Sequence, residues 1–358
     1  MLATTLFAGC GTAAKPAPAP APQNPSPRAF VPAVRTRPWP KMKVIAFYDQ
    51  SQEAVPPNPL ALMAAHPGLV NYLAPFWYEV KANGQILSKP QGDIAALARA
   101  QHIALMPLIN NAGGTDAFLH TAALRTTAVD NIVALIRRNH YAGVNIDFQL
   151  LKPGDRSDLI AFMAALHRAM PPGTLLTTSV MPPASNNGSM RAYDYKALAA
   201  NTGAVVLMAY DHHGDGTPPG PVSPYQWVAS SIRKVLADGV PASKLYLGIA
   251  NYGYEWTDGS TAAKTIPLKA MHQHLYGSYQ WDPTYQEAYD RWTTRGVSHV
   301  IWFVNDRAAV ARIRLAERYH LGGVAFWRVG YEDAKWWTAV AQALLSSRHP
   351  GAPIRPKA

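Results

Sequence analysis

The stretch Tyr141-Ala-Gly-Val-Asn-Ile-Asp-Phe-Gln149 decides the fold. Side chains alternate in direction along a strand, so Asn145, Asp147 and Gln149 share one face. Val144, Ile146 and Phe148 occupy the other face and are all apolar. An amide and a carboxylate are costly to bury unless their hydrogen bonds are satisfied. The pattern suits the wall of a closed parallel barrel, with the polar set pointing inward towards the C-terminal mouth and the apolar set facing outer helices. A ladder of satisfied polar groups with a purely structural role is the alternative.

Seven further short apolar runs flank this one. They are Val44–Asp49, Leu69–Phe76, Ile103–Ile109, Leu175–Val180, Ala204–Tyr210, Leu245–Tyr252 and Val324–Trp327, which brings the count with Val144–Phe148 to eight. Helical periodicity fills the gaps at Thr121–Arg138, Arg156–Met170, Tyr225–Ala237 and Ala308–Tyr319. Eight strands alternating with helices predict an α/β fold, a (β/α)8 TIM barrel. A doubly wound open sheet is the competing arrangement, but no Gly-rich fingerprint follows the first strand. The long gap before the last strand holds Tyr276-Gly-Ser-Tyr-Gln-Trp281 and the apolar run His299–Val304. A small α+β insertion at about 256–300, between strands seven and eight, is therefore expected.

The barrel accounts for residues 43–347 and leaves three flanking segments, 1–10, 11–42 and 348–358. Residues 1–10 end in Ala8-Gly9-Cys10 after an apolar run, which resembles the cleavage box of a bacterial lipoprotein signal. That resemblance makes Cys10 a candidate for lipidation and the protein a candidate for export to the cell envelope, anchored in the membrane. Residues 11–42 are rich in Pro and Ala, including Lys15-Pro-Ala-Pro-Ala-Pro-Ala-Pro22. Such a segment favours extended polyproline II and acts as a semi-rigid spacer.

The whole chain has 358 residues, is 48% hydrophobic and carries a net charge of +11. It is too apolar to be disordered throughout. It has no run of eighteen apolar residues to span a membrane and, with Cys10 alone, no internal disulfide. Residues 1–43 hold Lys15, Arg28, Arg35, Arg37, Lys41 and Lys43 with no acid, and residues 348–358 hold Arg348, Arg355 and Lys357 with no acid. The part between therefore carries only +2. The basic excess sits on the tails, where it suits anionic headgroups or wall polymers, and a nucleic-acid groove is not supported.

At the fourth strand the sequence resembles glycoside hydrolase family 18. That family reads Asp-Gly-x-Asp-x-Asp-x-Glu there, and Ala142, Asn145, Asp147 and Gln149 fall on its four acidic positions. The branch that it looks most like is the spore-germination and cell-wall hydrolase group, which reads Gly-Val-Asn-Ile-Asp-Phe-Glu. Asn145 fits that branch and Gln149 departs from it. The likeness continues through Ala74-Pro-Phe-Trp-Tyr78, Met208-Ala-Tyr-Asp211, Gly220-Pro-Val-Ser-Pro224, Leu247-Gly-Ile-Ala-Asn-Tyr-Gly-Tyr254, Val300-Ile-Trp-Phe303 and Gly322-Gly-Val-Ala-Phe-Trp-Arg328. These motifs cover about residues 44–337 in the family's order.

The resemblance implies cleavage beside an N-acetylated sugar, with the sugar's own acetamido oxygen as nucleophile. It makes Asp147 the carboxylate that orients the acetamido group and Tyr210 the hydroxyl that holds it. Asp211 would meet a sugar hydroxyl, and Trp327 would form the apolar floor under the ring. The general acid would be residue 149, and there the chain has an amide. An amide donates a hydrogen bond but delivers no proton, a deficit of roughly 10²–10⁴-fold in rate. The expectation is a groove that binds N-acetylglucosamine polymer, peptidoglycan or chitin-like, and cuts it slowly or not at all. The alternative is an active glycosidase with another acid, for which Glu79, Glu255, Asp49 and Asp215 are candidates. A third possibility is a protein–protein module whose mouth is closed by the insertion.

Phe76, Trp77, Tyr78, Tyr252, Tyr254, Trp256 and Tyr331 lie beyond the strands and could present ring faces to pyranose rings. Asn145 is a further candidate for sugar contact. His212-His213 and His272-x-His274 lack matched metal-ligand spacing, so no metal or other cofactor is expected. Neither a Gly-x-Ser-x-Gly elbow nor a phosphate loop is present.

Overall fold

A computed structural model describes residues 42–49, 60–89, 93–183, 188–271, 275 and 278–346. Cys10, most of the spacer, the basic C-terminal tail, His272 and His274 lie outside the described residues.

In chain order the first strands are β1 (Lys43–Tyr48), β2 (Tyr72–Val80), β3 (Ile86–Ser88), β4 (Ala104–Leu105) and β5 (Leu108–Asn110). β6 (Gly143–Asp147), β7 (Leu175–Val180), β8 (Ala204–Leu207) and β9 (Leu245–Ala250) follow. Next come β10 (Tyr252–Thr257), β11 (Ala263–Pro267), β12 (Gln280–Asp282), β13 (Glu287–Thr294), β14 (Val297–Phe303) and β15 (Gly323–Trp327). The parallel order β1-β15-β9-β8-β7-β6-β5-β2 is closed by pairing of β1 with β2. This is the eight-stranded barrel that the sequence pattern predicts.

The helices are α1 (Ala61–Ala64), α2 (Ile94–Ala100), α3 (Ala122–Asn139), α4 (Arg156–Ala169), α5 (Tyr195–Ala200), α6 (Tyr225–Ala237), α7 (Asp306–Arg318) and α8 (Ala334–Ser346). In α3 the buried set Ala128, Val129, Ile132, Val133, Leu135 and Ile136 forms the stripe that covers the sheet. Thr121 caps its start by accepting from the Leu124 N–H, and Asn305 does the same for α7 through Ala308.

Two strands differ most from their sequence assignment. The third barrel strand is broken into β4 and β5 around Met106-Pro107, because proline has no N–H to give the ladder. The second begins at Tyr72 rather than Leu69 and runs on to Val80, where it turns back to pair antiparallel with β3. Asn71 precedes it and spends its side-chain oxygen on the Val44 N–H at 2.8 Å.

Residues alternate between two cores. Ile45, Phe47, Ala74, Met106, Leu108, Ala204, Val206, Tyr246 and Ala325 fill the barrel, while Val44, Ala46, Val144, Ile146 and Phe148 pack outward with the helices. The insertion is a five-stranded antiparallel sheet in the order β11-β10-β14-β13-β12, so it begins at Tyr252 and ends at Phe303. Helical structure among its described residues comprises the 3₁₀ segment Leu268–Ala270 and the α-helical Met271 that follows it.

A buried ion pair holds this sheet to the barrel. Glu287 on β13 accepts from the Val222 and Ser223 N–H groups at 2.5 and 2.8 Å and meets Arg312 of α7 at 3.3 Å. Arg312 also donates to the Ser223, Tyr285 and Gln286 carbonyls. Burial moves the Glu287 carboxyl up to about 7, against the pull of Arg312 and the two backbone donors. The anchored loop leads back to Asp211, so the pair fixes the insertion relative to the mouth.

Candidate active site

Asp147 ends β6, facing into the barrel mouth one layer above Asn145. Asn145 donates to Thr177 Oγ1 at 2.9 Å and accepts from Ser179 Oγ at 3.1 Å, and it is fully buried. Its amide is therefore a satisfied strut within the wall and reaches no cavity surface. Asn145, expected as a sugar contact, is not among the residues that line the cavity at the mouth.

Gln149 lies two residues beyond Asp147 and is half-buried. Its Nε2 donates to both Asp147 carboxylate oxygens, at 2.9 and 3.0 Å. Asp147 is 5% exposed, and burial lifts its pKa from 3.8 to about 6, with the Gln149 amide pulling the other way. The side chain expected to be an acid is thus a donor committed to its neighbouring carboxylate.

A cavity of about 210 Å³ opens here, lined by Phe47, Leu108, Asp147, Gln149, Ser179, Met181, Met208, Tyr210, Asp211 and Trp327. Tyr210 and Asp211 follow β8, where the chain bends at Asp211 with φ +55°, a region that a short polar side chain tolerates. A Cβ on Gly248 would come within 2.9 Å of the Tyr210 ring, so this glycine makes room for Tyr210. Burial drives the Tyr210 phenol well above its ordinary value, which keeps it a neutral hydrogen-bond donor. The Trp327 indole lies against Phe47 with ring centroids 5.7 Å apart.

Tyr252 and Tyr254 do not offer ring faces to the cavity. Their hydroxyls donate to Asp211 Oδ1 at 2.5 and 3.1 Å and hold that carboxylate at the rim. Asp211 is exposed as a residue, yet protein around its carboxyl raises the pKa despite these two donors.

The aromatics within β2 divide differently from the sequence expectation. Trp77 and Tyr78 are buried in the outer core against Tyr141, whose hydroxyl lies 2.7 Å from that of Tyr78. They are packing residues: Trp77 faces outward by alternation from the inward Phe76, and the register shift between Phe76 and Tyr78 turns Tyr78 away from the inward face as well. Phe76 packs on the barrel interior beneath the Lys89 ammonium, 3.9 Å from its ring centre. Trp256 donates to the Thr217 carbonyl, and the Tyr331 hydroxyl accepts from Arg328. The ring that the sequence did not single out is Phe47; alternation along β1 beside Ile45 was its signal. Met208 lay inside the quoted Met-Ala-Tyr-Asp motif, and Ser179 is two residues from the inward-facing Thr177.

The four carboxylates considered as substitute acids are engaged elsewhere. Glu79 pairs with Lys89 at 2.9 Å and Lys81 at 3.5 Å, and its pKa is lowered by those cations against the opposing effect of burial. Glu255 meets His299 at 2.7 Å, Asp49 meets Arg328 at 3.5 Å, and Asp215 accepts from the Ala263 N–H. None of them lines the cavity, whose carboxylates are Asp147 and Asp211. His212 packs on Trp227 with the rings tilted by 36°, while His213 bonds the Pro218 carbonyl. Asp116, His120 and Asp155 bring ligand-type atoms within 4.8 Å, but the Lys152 ammonium sits 2.6 Å from Asp116 and gives the group an ion-pair role.

Carboxylate, phenol and indole converge on one cavity at the C-terminal mouth of a closed barrel, and the match to glycosyl hydrolases family 18 runs over residues 43–332. The chain belongs to this family. It is 28% identical over 291 residues to the cortical fragment-lytic enzyme of Bacillus subtilis, covering 75% of this chain and 66% of that one. The crystal structure of a chitinase from Chromobacterium violaceum is similar with a TM-score of 0.77, at 26% identity over 85% of this chain and 99% of that one. The spore cortex-lytic enzyme SleL of Bacillus megaterium shares the fold with a TM-score of 0.75 at 24% identity, over 90% and 78% of the two chains. Family 18 membership establishes a glycan-acting scaffold around the cavity.

Proposed function

We propose that this family 18 protein binds N-acetylglucosamine-containing polymer, peptidoglycan or chitin-like, and that its hydrolysis is weak or lost. The carrying observation is the Gln149 amide, bonded to both oxygens of Asp147 where a proton donor would be needed. Asp147 and Tyr210 supply the groups that would orient and hold an acetamido substituent, and Trp327 supplies an apolar floor. The similarity to a cortical fragment-lytic enzyme supports a cell-wall glycan as the ligand.

Binding and turnover on chitin oligomers and peptidoglycan, measured together on wild type and Gln149→Glu, test the reading. Wild type should bind without releasing soluble sugar at hydrolase rates, and the variant should gain roughly 10²–10⁴-fold in turnover. Wild-type cleavage at ordinary rates would sink it. Asp211 lines the same cavity and has a raised pKa, which favours a second reading with Asp211 as the acid. In that case wild type cleaves and Asp211→Asn abolishes the activity.

We also infer that Cys10 carries a lipid and that the Pro/Ala spacer holds the barrel off a membrane surface. Support comes from the Ala8-Gly9-Cys10 box and the spacer composition. Metabolic labelling with a palmitate analogue tests this: label retained after Cys10→Ala would refute it.

A further inference from the structure

Where the parallel ladder ends, two asparagine side chains continue it. Asn111 follows β5 and is 2% exposed; Asn251 follows β9 and is 1% exposed. Asn111 Oδ1 accepts from the Gln149 N–H and its Nδ2 donates to the Gln149 carbonyl, both at 2.8 Å. Asn251 Oδ1 accepts from the Arg328 N–H at 2.8 Å and its Nδ2 donates to the Arg328 carbonyl at 2.9 Å. The Asn251 backbone N–H also donates to the Trp327 carbonyl at 3.1 Å.

A carboxamide offers one donor and one acceptor side by side, as a peptide group does. Each asparagine therefore serves its neighbouring strand as one more step of ladder, at a point where its own backbone has begun to leave the sheet. The backbone groups that it holds, buried at Arg328 and partly buried at Gln149, need partners. Both grips fall on the residues that define the cavity: Gln149 itself, and the peptide that directly follows Trp327. A second contact fixes each amide's orientation, Asn111 Nδ2 to the Thr115 carbonyl at 3.1 Å and Asn251 Nδ2 to Glu332 at 3.3 Å.

We propose that Asn111 and Asn251 are positioning residues, the first aiming side chain 149 at Asp147 and the second setting the Trp327 floor under the bound sugar. The proposal rests on the reading of the cavity as a glycan site. Without Asn111, the backbone of residue 149 is free to turn, and the tip of its side chain moves further than its Cα. Displacement of a reacting group by about 1 Å can cost 10²-fold in rate. A merely structural role predicts lower melting temperature with normal binding and turnover in the folded protein.

The test uses the full chain with Asn111→Ala, Asn251→Ala and the corresponding Asp variants, alone and with Gln149→Glu. The probe is tetra-N-acetylchitotetraose, assayed well below each variant's melting temperature. Asn251→Ala should weaken binding about 10–100-fold, while Asn111→Ala changes it by less than about threefold. With Gln149→Glu present, Asn111→Ala should lower kcat about 10–100-fold at a KM within about twofold. The Asp variants should recover towards wild type on acidification, because a protonated carboxyl again offers one donor and one acceptor. Unchanged kcat in Asn111→Ala/Gln149→Glu, or unchanged affinity in Asn251→Ala, overturns the proposal. If wild type and Gln149→Glu neither bind nor cleave the probe, the glycan reading fails, and crystal structures of the variants decide the positioning claim. Gln149 released from Asp147 and a displaced Trp327 indole would then support it; unmoved side chains would refute it.

Discussion

Asp147→Asn should make this protein more stable at pH 8 and leave it unchanged near pH 4. The carboxyl is 5% exposed, and burial raises its pKa from 3.8 to about 6. The folded state therefore holds on to a proton that the unfolded chain releases near pH 4. Stability falls as pH rises through the window from about 4 to 6 and stays flat above it. The shift of about two units corresponds to about 3 kcal/mol at pH 7 and above. Asparagine keeps the shape and removes the charge, so about 3 kcal/mol is the upper bound on its gain. One of the two Gln149 contacts is lost in exchange, which reduces the figure. For a barrel of this size that upper bound is a rise of about 5 °C in melting temperature. Thermal unfolding followed by circular dichroism between pH 4 and 8 provides the assay. A variant whose melting curve tracks wild type at every pH would refute the idea that Asp147 is held against its solvation preference. Site carboxylates of this kind trade stability for function.

Other perturbations follow from the same geometry. Glu287→Gln strips Arg312 of its buried partner and should cost roughly 3–5 kcal/mol in urea unfolding, largely restored by Glu287→Gln/Arg312→Met. Equal stability of the single and double variants would argue against the pair as the weld of the insertion. Trp327→Ala removes the apolar floor and should weaken chitin-oligomer binding by about 1.5–3 kcal/mol in calorimetry. Undiminished affinity would place the sugar elsewhere. Tyr252→Phe deletes a donor that lowers the pKa of Asp211, so the acid limb of sugar binding should move to higher pH. A limb that stays put would mean that Asp211 does not govern binding.

How much of the site was legible depends on how local each decision was. Asp147, Gln149, Tyr210, Asp211 and Trp327 sit at strand ends, where a period of two and the motif order already give each side chain its direction, and all five line the cavity. Trp77 and Tyr78 sit equally close to a strand end; Trp77 faces the outer core by alternation from Phe76, and a register shift in β2 sends Tyr78 there too. That shift depends on pairing with β5, which local sequence does not encode. Pro107 lies inside the run read as one strand, Ile103–Ile109, and its effect, the split between β4 and β5, depends on which neighbours the strand meets.

By itself, the sequence determined the closed barrel, the amide at position 149 beside Asp147 and the small net charge of +2 between the basic tails. Hydrophobic period, chain order and residue chemistry are properties of the chain read in one dimension. Only the tertiary structure decided what the aromatic side chains and the buried amides do. Tyr252 and Tyr254 became donors to Asp211, Asn145 became a strut, and Asn111 and Asn251 became extensions of the ladder. Each of those roles belongs to a pair of atoms that lie 32 to 77 residues apart in the chain. A polar side chain's function is set by the partner that satisfies it, and the fold brings that partner into range.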